Sequence, residues 1–237
     1  MNVGSDYIHK FTEGHTSFEI MDRKIKEAQT RVKEIGTLPI HFAWSGGKEA
    51  IIVGHLISQI RNIELSTCEI SWTFKKCVEN IKTYHDIVRC NPNYFDSIPV
   101  EWLRKNPHVL FSNDTTVRGL TYERRQQRTV KNNTPTGYVS VFGRRRPDNC
   151  VKDYLYTTKA GVQLHPIYDW SFDDVKAYFK MYEIPVPWIY GTKFGQLIGT
   201  APFYSLKAES VGGVGNAWKV VQNYDSKFSK KNILGVK

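Results

Sequence analysis

The sequence has no long hydrophobic run. A mostly apolar stretch such as Leu38 to Trp44 is far short of the ~20 residues that a membrane span needs. The first ten residues lack the apolar core of a secretory signal. These absences predict a cytoplasmic protein with no membrane partner. Cysteine is also scarce: four residues, Cys68, Cys77, Cys90 and Cys150, form no C-x-x-C pair and have no histidine at metal-finger spacing. That argues against a zinc knuckle, a thioredoxin-type motif and a disulfide framework, and leaves reduced, mostly buried thiols. Acidic residues run short as well, 23 against 33 Lys plus Arg, for a net charge of +10. An anionic partner suits such a surplus, whether a nucleotide, a nucleic acid or an acidic substrate.

What is present describes a globular chain. With 41% hydrophobic and 24% charged residues and ordinary Gly and Pro usage, collagen-like, low-complexity and disordered classes are poor fits. The 237 residues suffice for one generous domain, or one domain with a small appendage.

Periodicity gives the order of elements. Ile20, Ile25, Ala28, Val32 and Ile35 recur at helical spacing within Glu19 to Ile35, which predicts an amphipathic helix stopped by Gly36. Leu38 to Trp44 reads as a buried strand running into Ser45-Gly46-Gly47-Lys48, and the dense apolar run from Lys48 to Ile60 as a helix packed on a sheet. A strand at Thr67 to Phe74 and a helix at Lys75 to Arg89 follow. Residues 91–135 are expected to be loop or a mobile lid with short helices, and Gly137 to Phe142 a third strand. Leu164 to Trp170 breaks at Pro166; Ser171 caps a helix running to about Tyr182, ended by Pro185 and Pro187. Alternating strands and helices predict an α/β fold: an open, mostly parallel twisted sheet with helices on both faces, formed by residues 1–190. Residues 191–237, rich in glycine, are expected as a loop-rich extension packed on it.

Three segments carry candidate chemistry. Ser45-Gly46-Gly47-Lys48-Glu49-Ala50 lies between the buried strand and the dense helix, where glycines let the backbone close on a phosphate and the helix start offers N–H donors. It is not the G-x-x-x-x-G-K-[ST] loop, and an ordinary tight turn is its plain alternative. Gly143-Arg144-Arg145-Arg146-Pro147-Asp148-Asn149 follows another strand. Three consecutive arginines cannot share one face, so at least one should reach the crevice beyond the strand ends, where a guanidinium can hold a phosphate or sulfate. The third segment, His165 to Val175, has a structural logic: Pro166 stiffens, Ser171 caps, Trp170 and Val175 pack, and His165 reads as a hydrogen-bonded structural histidine.

In that order, S-G-G-K-E-A, G-R-R-R-P-D-N and H-P-I-x-D-W-S-x-x-D-V resemble the phosphoadenosine phosphosulfate (PAPS) reductase family, within the adenine nucleotide alpha hydrolase-like group that includes the N-type ATP pyrophosphatases. The resemblance spans roughly Ile40 to Pro187. It implies that Ser45, Gly46, Gly47 and Lys48 grip nucleotide phosphates, with Glu49 and Ala50 where the family has Asp and Ser. It also implies that Gly143, Arg145, Asp148 and Asn149 form the second family segment, with Asp for Glu and Asn for Ser. Trp44, beside the loop, is either core or base-contacting. Where many relatives carry a C-terminal cysteine that attacks sulfate, this sequence has Gly199-Thr200-Ala201-Pro202-Phe203, and no cysteine follows Cys150. Cys150 is then the remaining candidate nucleophile or a buried structural thiol.

The expected function is an enzyme that binds ATP or a PAPS-like adenine nucleotide with Mg²⁺ and cleaves between the α and β phosphates. Lys48 and Arg145 are the catalytic candidates. Ser45, Gly46, Gly47, Lys48, Glu49, Gly143, Arg144, Arg145 and Asp148 are the binding candidates. No iron–sulfur cluster or zinc is expected. The alternatives are a sulfonucleotide reductase or sulfotransferase-like enzyme, an ATP-dependent component of DNA or tRNA sulfur modification suggested by the basic 119–131 stretch, and a non-catalytic nucleotide-binding subunit. Beyond the adenine nucleotide, the partner expectations are a nucleic acid, and a second copy of the chain or a partner subunit.

Overall fold

The computed structural model describes residues 15–69, 82–95, 135–149, 151, 153–159, 161–187 and 190. Helix α1, Phe18–Glu34, starts at Ser17, whose hydroxyl accepts a hydrogen bond from the Ile20 N–H, and buries Met21, Ile25, Ala28 and Val32. Ile35 completes the stripe, whereas Ile20, expected in it, is exposed. A spacing of four, three, four and three residues keeps 21, 25, 28, 32 and 35 on one face, and residue 20 falls about 100° away. The chain then turns at Gly36, with φ of 60°.

Strand β1, Ile40–Ala43, leads to helix α2, Lys48–Ser58, in which seven residues from Ala50 to Ile57 are buried, as their density predicts. Strand β2 is Leu65–Glu69, shifted towards the N-terminus from the expected range, and residues 70–74 lie outside those described. One turn of helix, α3 at His85–Val88, precedes strand β3 at Asn93–Phe95. The sequence reading placed β3 in a loop, because a three-residue edge strand is too short to display alternation. The remainder of that expected lid lies outside the described residues.

Strand β4, Val139–Val141, is followed by a single turn α4, Arg146–Asn149. Strands β5, Leu155–Thr158, and β6, Gly161–Leu164, make a hairpin that the sequence reading did not foresee. Helix α5, Phe172–Met181, begins at Ser171 as predicted, with a full capping box: the Ser171 hydroxyl accepts from Asp174 N–H while the Asp174 carboxylate accepts from Ser171 N–H.

The strands form one sheet in the order β3-β2-β1-β4-β6-β5, all parallel except β5. His41 of β1 pairs with Leu65 on one side and Ser140 on the other. A Cβ built on Gly54 would stand 2.9 Å from Val88 and 3.0 Å from the Phe42 ring, so α2 lies directly over β1 with α3 against it. Helices α1 and α5 both touch α2, and the helices and strands share one hydrophobic core. These helices gather on the face to which Phe42 points; the expectation of helices on the opposite face falls outside the described residues. No described helix is long and apolar enough to cross a membrane.

Candidate functional site

The chain steps outward from β1 to β2 and β3, then returns to lay β4 on the other side of β1. The order therefore reverses between β1 and β4, and in open α/β sheets the crevice beyond the carboxyl ends at such a reversal is where ligands bind. The Trp44–Gly47 loop leaves β1 at that point, and Phe142–Arg145 leaves β4 beside it.

The first loop is built to expose a helix end. Gly46 takes a φ of 66°, and Gly47 is the N-cap of α2 with no side-chain cap. The Ser45 hydroxyl accepts from Gly47 N–H at 3.3 Å, tightening the turn. The positive end of the α2 dipole thus faces the crevice.

The two segments touch. A Cβ on Gly143 would lie 2.7 Å from the Glu49 carbonyl carbon and 2.8 Å from its Cβ, so only glycine allows β4's exit to press against the first turn of α2. Glu49 is the hub of the resulting charge cluster: its Oε1 lies 2.9 Å from Lys48 Nζ and 3.4 Å from Arg145 Nε. Arg145, only 4% exposed, also donates from Nη1 to the Trp170 carbonyl at 3.3 Å. Arg144 and Arg146 are exposed. The guanidinium of Arg144 lies 4.9 Å over the Phe142 ring, while Arg146 heads α4. The three arginines do diverge, and the one buried beside the loop is Arg145. Asp148 belongs to α4, and its side chain lies outside the described residues.

Sequence reasoning missed the aromatic bed under Lys48. Its ammonium sits 4.9 Å above Tyr190 and 5.6 Å from Phe172, and its backbone N–H donates to the Tyr190 hydroxyl at 3.1 Å. Burial, reinforced by Glu49, holds the Tyr190 phenol far above its ordinary value, so it stays neutral. No local pattern beyond Pro187 marks Tyr190; only the tertiary fold brings it to the loop.

The third motif fastens α1 to the sheet. Arg31 donates to both Asp169 carboxylate oxygens, at 2.7 and 2.8 Å, and to the Pro166 carbonyl, with its guanidinium over Tyr154 and Tyr168. Asp174 accepts from Lys24 Nζ at 2.7 Å and from Thr16 Oγ1 at 2.9 Å. Burial pushes both carboxyls up, but these donors prevail and hold them below their ordinary value. His165, expected to be a hydrogen-bonded structural histidine, is fully buried, and neither ring nitrogen has a hydrogen-bond partner among the described residues. It is sandwiched between Phe142 and Tyr156, and burial aided by Arg144 lowers it to about 4.

Trp44 packs in the core at 1% exposure, edge-on to His85, and its indole N–H has no partner among the described residues. Cys90 carries a thiol that burial pushes up to about 11 despite a hydrogen bond with Ser66. Cys150 and the basic 119–131 stretch lie outside the described residues. No group of three or more His, Cys, Asp or Glu among the described residues is arranged to hold a metal ion.

Residues 39–214 match the family model described as the phosphoadenosine phosphosulfate reductase domain. Among solved structures, the chain is similar to a phosphoadenylyl-sulfate (PAPS) reductase from Candida auris, solved as a phosphate complex, with 17% identity and a TM-score of 0.53 over 73% of this chain and 90% of that one. It is also similar to yeast FAD synthetase in complex with FAD, with 10% identity and a TM-score of 0.47 over 83% of this chain and 70% of that one. No curated protein matches it in sequence.

Proposed function

The chain belongs to the phosphoadenosine phosphosulfate reductase domain family, and we propose that it binds ATP or a closely related adenine nucleotide in the β1–β4 crevice and cleaves it between the α and β phosphates. The observation that carries this reading is the contact of Gly143 with Glu49, which joins the start of α2, with Lys48, to the arginine segment.

In this reading the phosphates lie against the Ser45–Lys48 loop, whose N–H groups and helix dipole favour negative charge. Lys48 exchanges Glu49 for the departing pyrophosphate and stabilises it as the bond from the α phosphorus to its bridging oxygen breaks. Arg144, the exposed arginine beside the crevice, neutralises charge developing on the α phosphate while an acceptor oxygen bonds to phosphorus. Arg145 acts as a positioning residue: buried against Glu49 and the Trp170 carbonyl, it fixes the first turn of α2. The described residues do not form a cage for Mg²⁺. Glu49 is already paired with two cations, and an ion arriving with the nucleotide would be held by phosphates and water; no step above depends on it. Thiol attack on sulfate gains no support from Cys90, since burial keeps its thiol protonated at neutral pH.

Isothermal titration with ATP, PAPS and AMP, each with and without Mg²⁺, tests the reading together with an assay of pyrophosphate release. Binding of ATP with release that disappears in Lys48→Ala is the expected result. Full release in Lys48→Ala, or no binding of any of the three, overturns it.

A further inference from the structure

Tyr190 occupies the first N–H of α2. Its hydroxyl oxygen accepts the N–H of Lys48, the first residue of α2, at 3.1 Å, and its ring lies 4.9 Å beneath the Lys48 ammonium. The residue is 2% exposed. Its backbone N–H donates to the Pro187 carbonyl at 2.9 Å, which ties it to the turn that ends the α5 region. An anion arriving at this helix start seeks the same two groups, the N–H and the ammonium. The phenol is neutral, because burial and the nearby Glu49 carboxylate oppose its ionisation, so it offers a weaker acceptor than a phosphate does.

We infer that Tyr190 is a built-in competitor for phosphate at the loop: its hydroxyl holds the first N–H of α2 in the ligand-free protein, and a nucleotide phosphate takes that N–H by displacing it. This inference rests on the nucleotide reading of the crevice. Lys48 is kept from the phosphate in the same state by Glu49 at 2.9 Å, so the loop is satisfied twice from within, once at its backbone and once at its cation. Such a site ignores weak anions and opens only to a ligand with enough charge to outbid both tenants. That favours a polyphosphate over a lone phosphate.

The test compares ATP binding to the wild type and to Tyr190→Phe, which keeps the ring under Lys48 and removes the hydroxyl that accepts the Lys48 N–H. Losing one neutral hydrogen bond from the ligand-free state should tighten ATP binding about three- to tenfold. Equal or weaker binding by the variant overturns the inference and identifies Tyr190 as a brace of the loop. A second measurement leaves the natural side chain nearly intact: 3-fluorotyrosine placed at position 190 should shift its fluorine resonance when ATP saturates the protein. An unmoved resonance at saturation overturns displacement, even if the Phe variant fails to fold. Failure of wild type and variant alike to bind ATP, PAPS or AMP would sink the nucleotide reading and this inference with it, whereas binding without a difference removes the inference alone.

Discussion

Gly143 lies so close to Glu49 that a methyl group on its Cα would stand 2.7 Å from the Glu49 backbone. Neither partner can yield, since one is the exit of a central strand and the other the first turn of a buried helix. Gly143→Ala should therefore destabilise the fold by about 1–3 kcal/mol, the usual cost of overpacking, and loosen the crevice. Chemical denaturation and ATP titration on the same preparation check this; an unchanged midpoint and affinity would contradict the contact.

Arg144 and Arg145 are neighbours in sequence with opposite surroundings. Arg145→Ala removes a buried partner of Glu49 and of the Trp170 carbonyl and should lower stability by about 2–4 kcal/mol. Arg144→Ala should leave stability within about 0.5 kcal/mol while weakening nucleotide binding several-fold. Thermal melts and titration calorimetry of the two variants separate the roles.

The bidentate pair of Arg31 with Asp169 predicts that lysine cannot replace the arginine. Arg31→Lys loses one of the two parallel bonds, the bond to Pro166 and the stacking on Tyr168, and should cost about 1–2 kcal/mol at this half-buried position. A double-mutant cycle with Asp169→Asn should return a coupling of similar size, and a cycle that closes to zero would show the pair to be inert.

Acid should unfold the protein earlier than its carboxylates alone require. Burial lowers His41 to about 4, and burial with help from Arg144 does the same to His165, against an ordinary value of 6.5. The unfolded chain therefore binds more protons between these values, and stability falls as pH drops from 6.5 towards 4, by up to about 3 kcal/mol for each histidine. Below that window the loss continues as Asp169 and Asp174, held below their ordinary 3.8 by Arg31 and Lys24 respectively, become protonated. His165→Phe fills the same stack between Phe142 and Tyr156 without a titrating group. It should flatten the dependence, as read from urea midpoints at pH 7.5 and 4.5.

The legibility of the sequence followed the range of the interactions. The α2 helix, the Ser171 cap and the Gly36 stop were readable because each depends on residues within a few positions, as did the glycine loop that proved to end β1. The alternation of strands and helices gave the parallel sheet, and with it the crevice beyond the strand ends. Strand β3 and the β5–β6 hairpin were not readable, since strands of three or four residues carry almost no pattern of their own. The identity of the buried arginine could not be seen either: three identical side chains in a row are distinguished only by the Glu49 carboxylate and the Trp170 carbonyl that the fold brings to one of them. Tyr190 lay beyond reach for the same reason.

The pairing of β1 with β4, in the register Ile40 with Val139, has a consequence for synthesis. These neighbours in the sheet are separated by residues 44–138 in sequence, so the crevice cannot close until the ribosome has passed residue 145. A nascent chain holding the glycine loop alone has half a site, with no Gly143 to seat it and no arginine to balance Glu49.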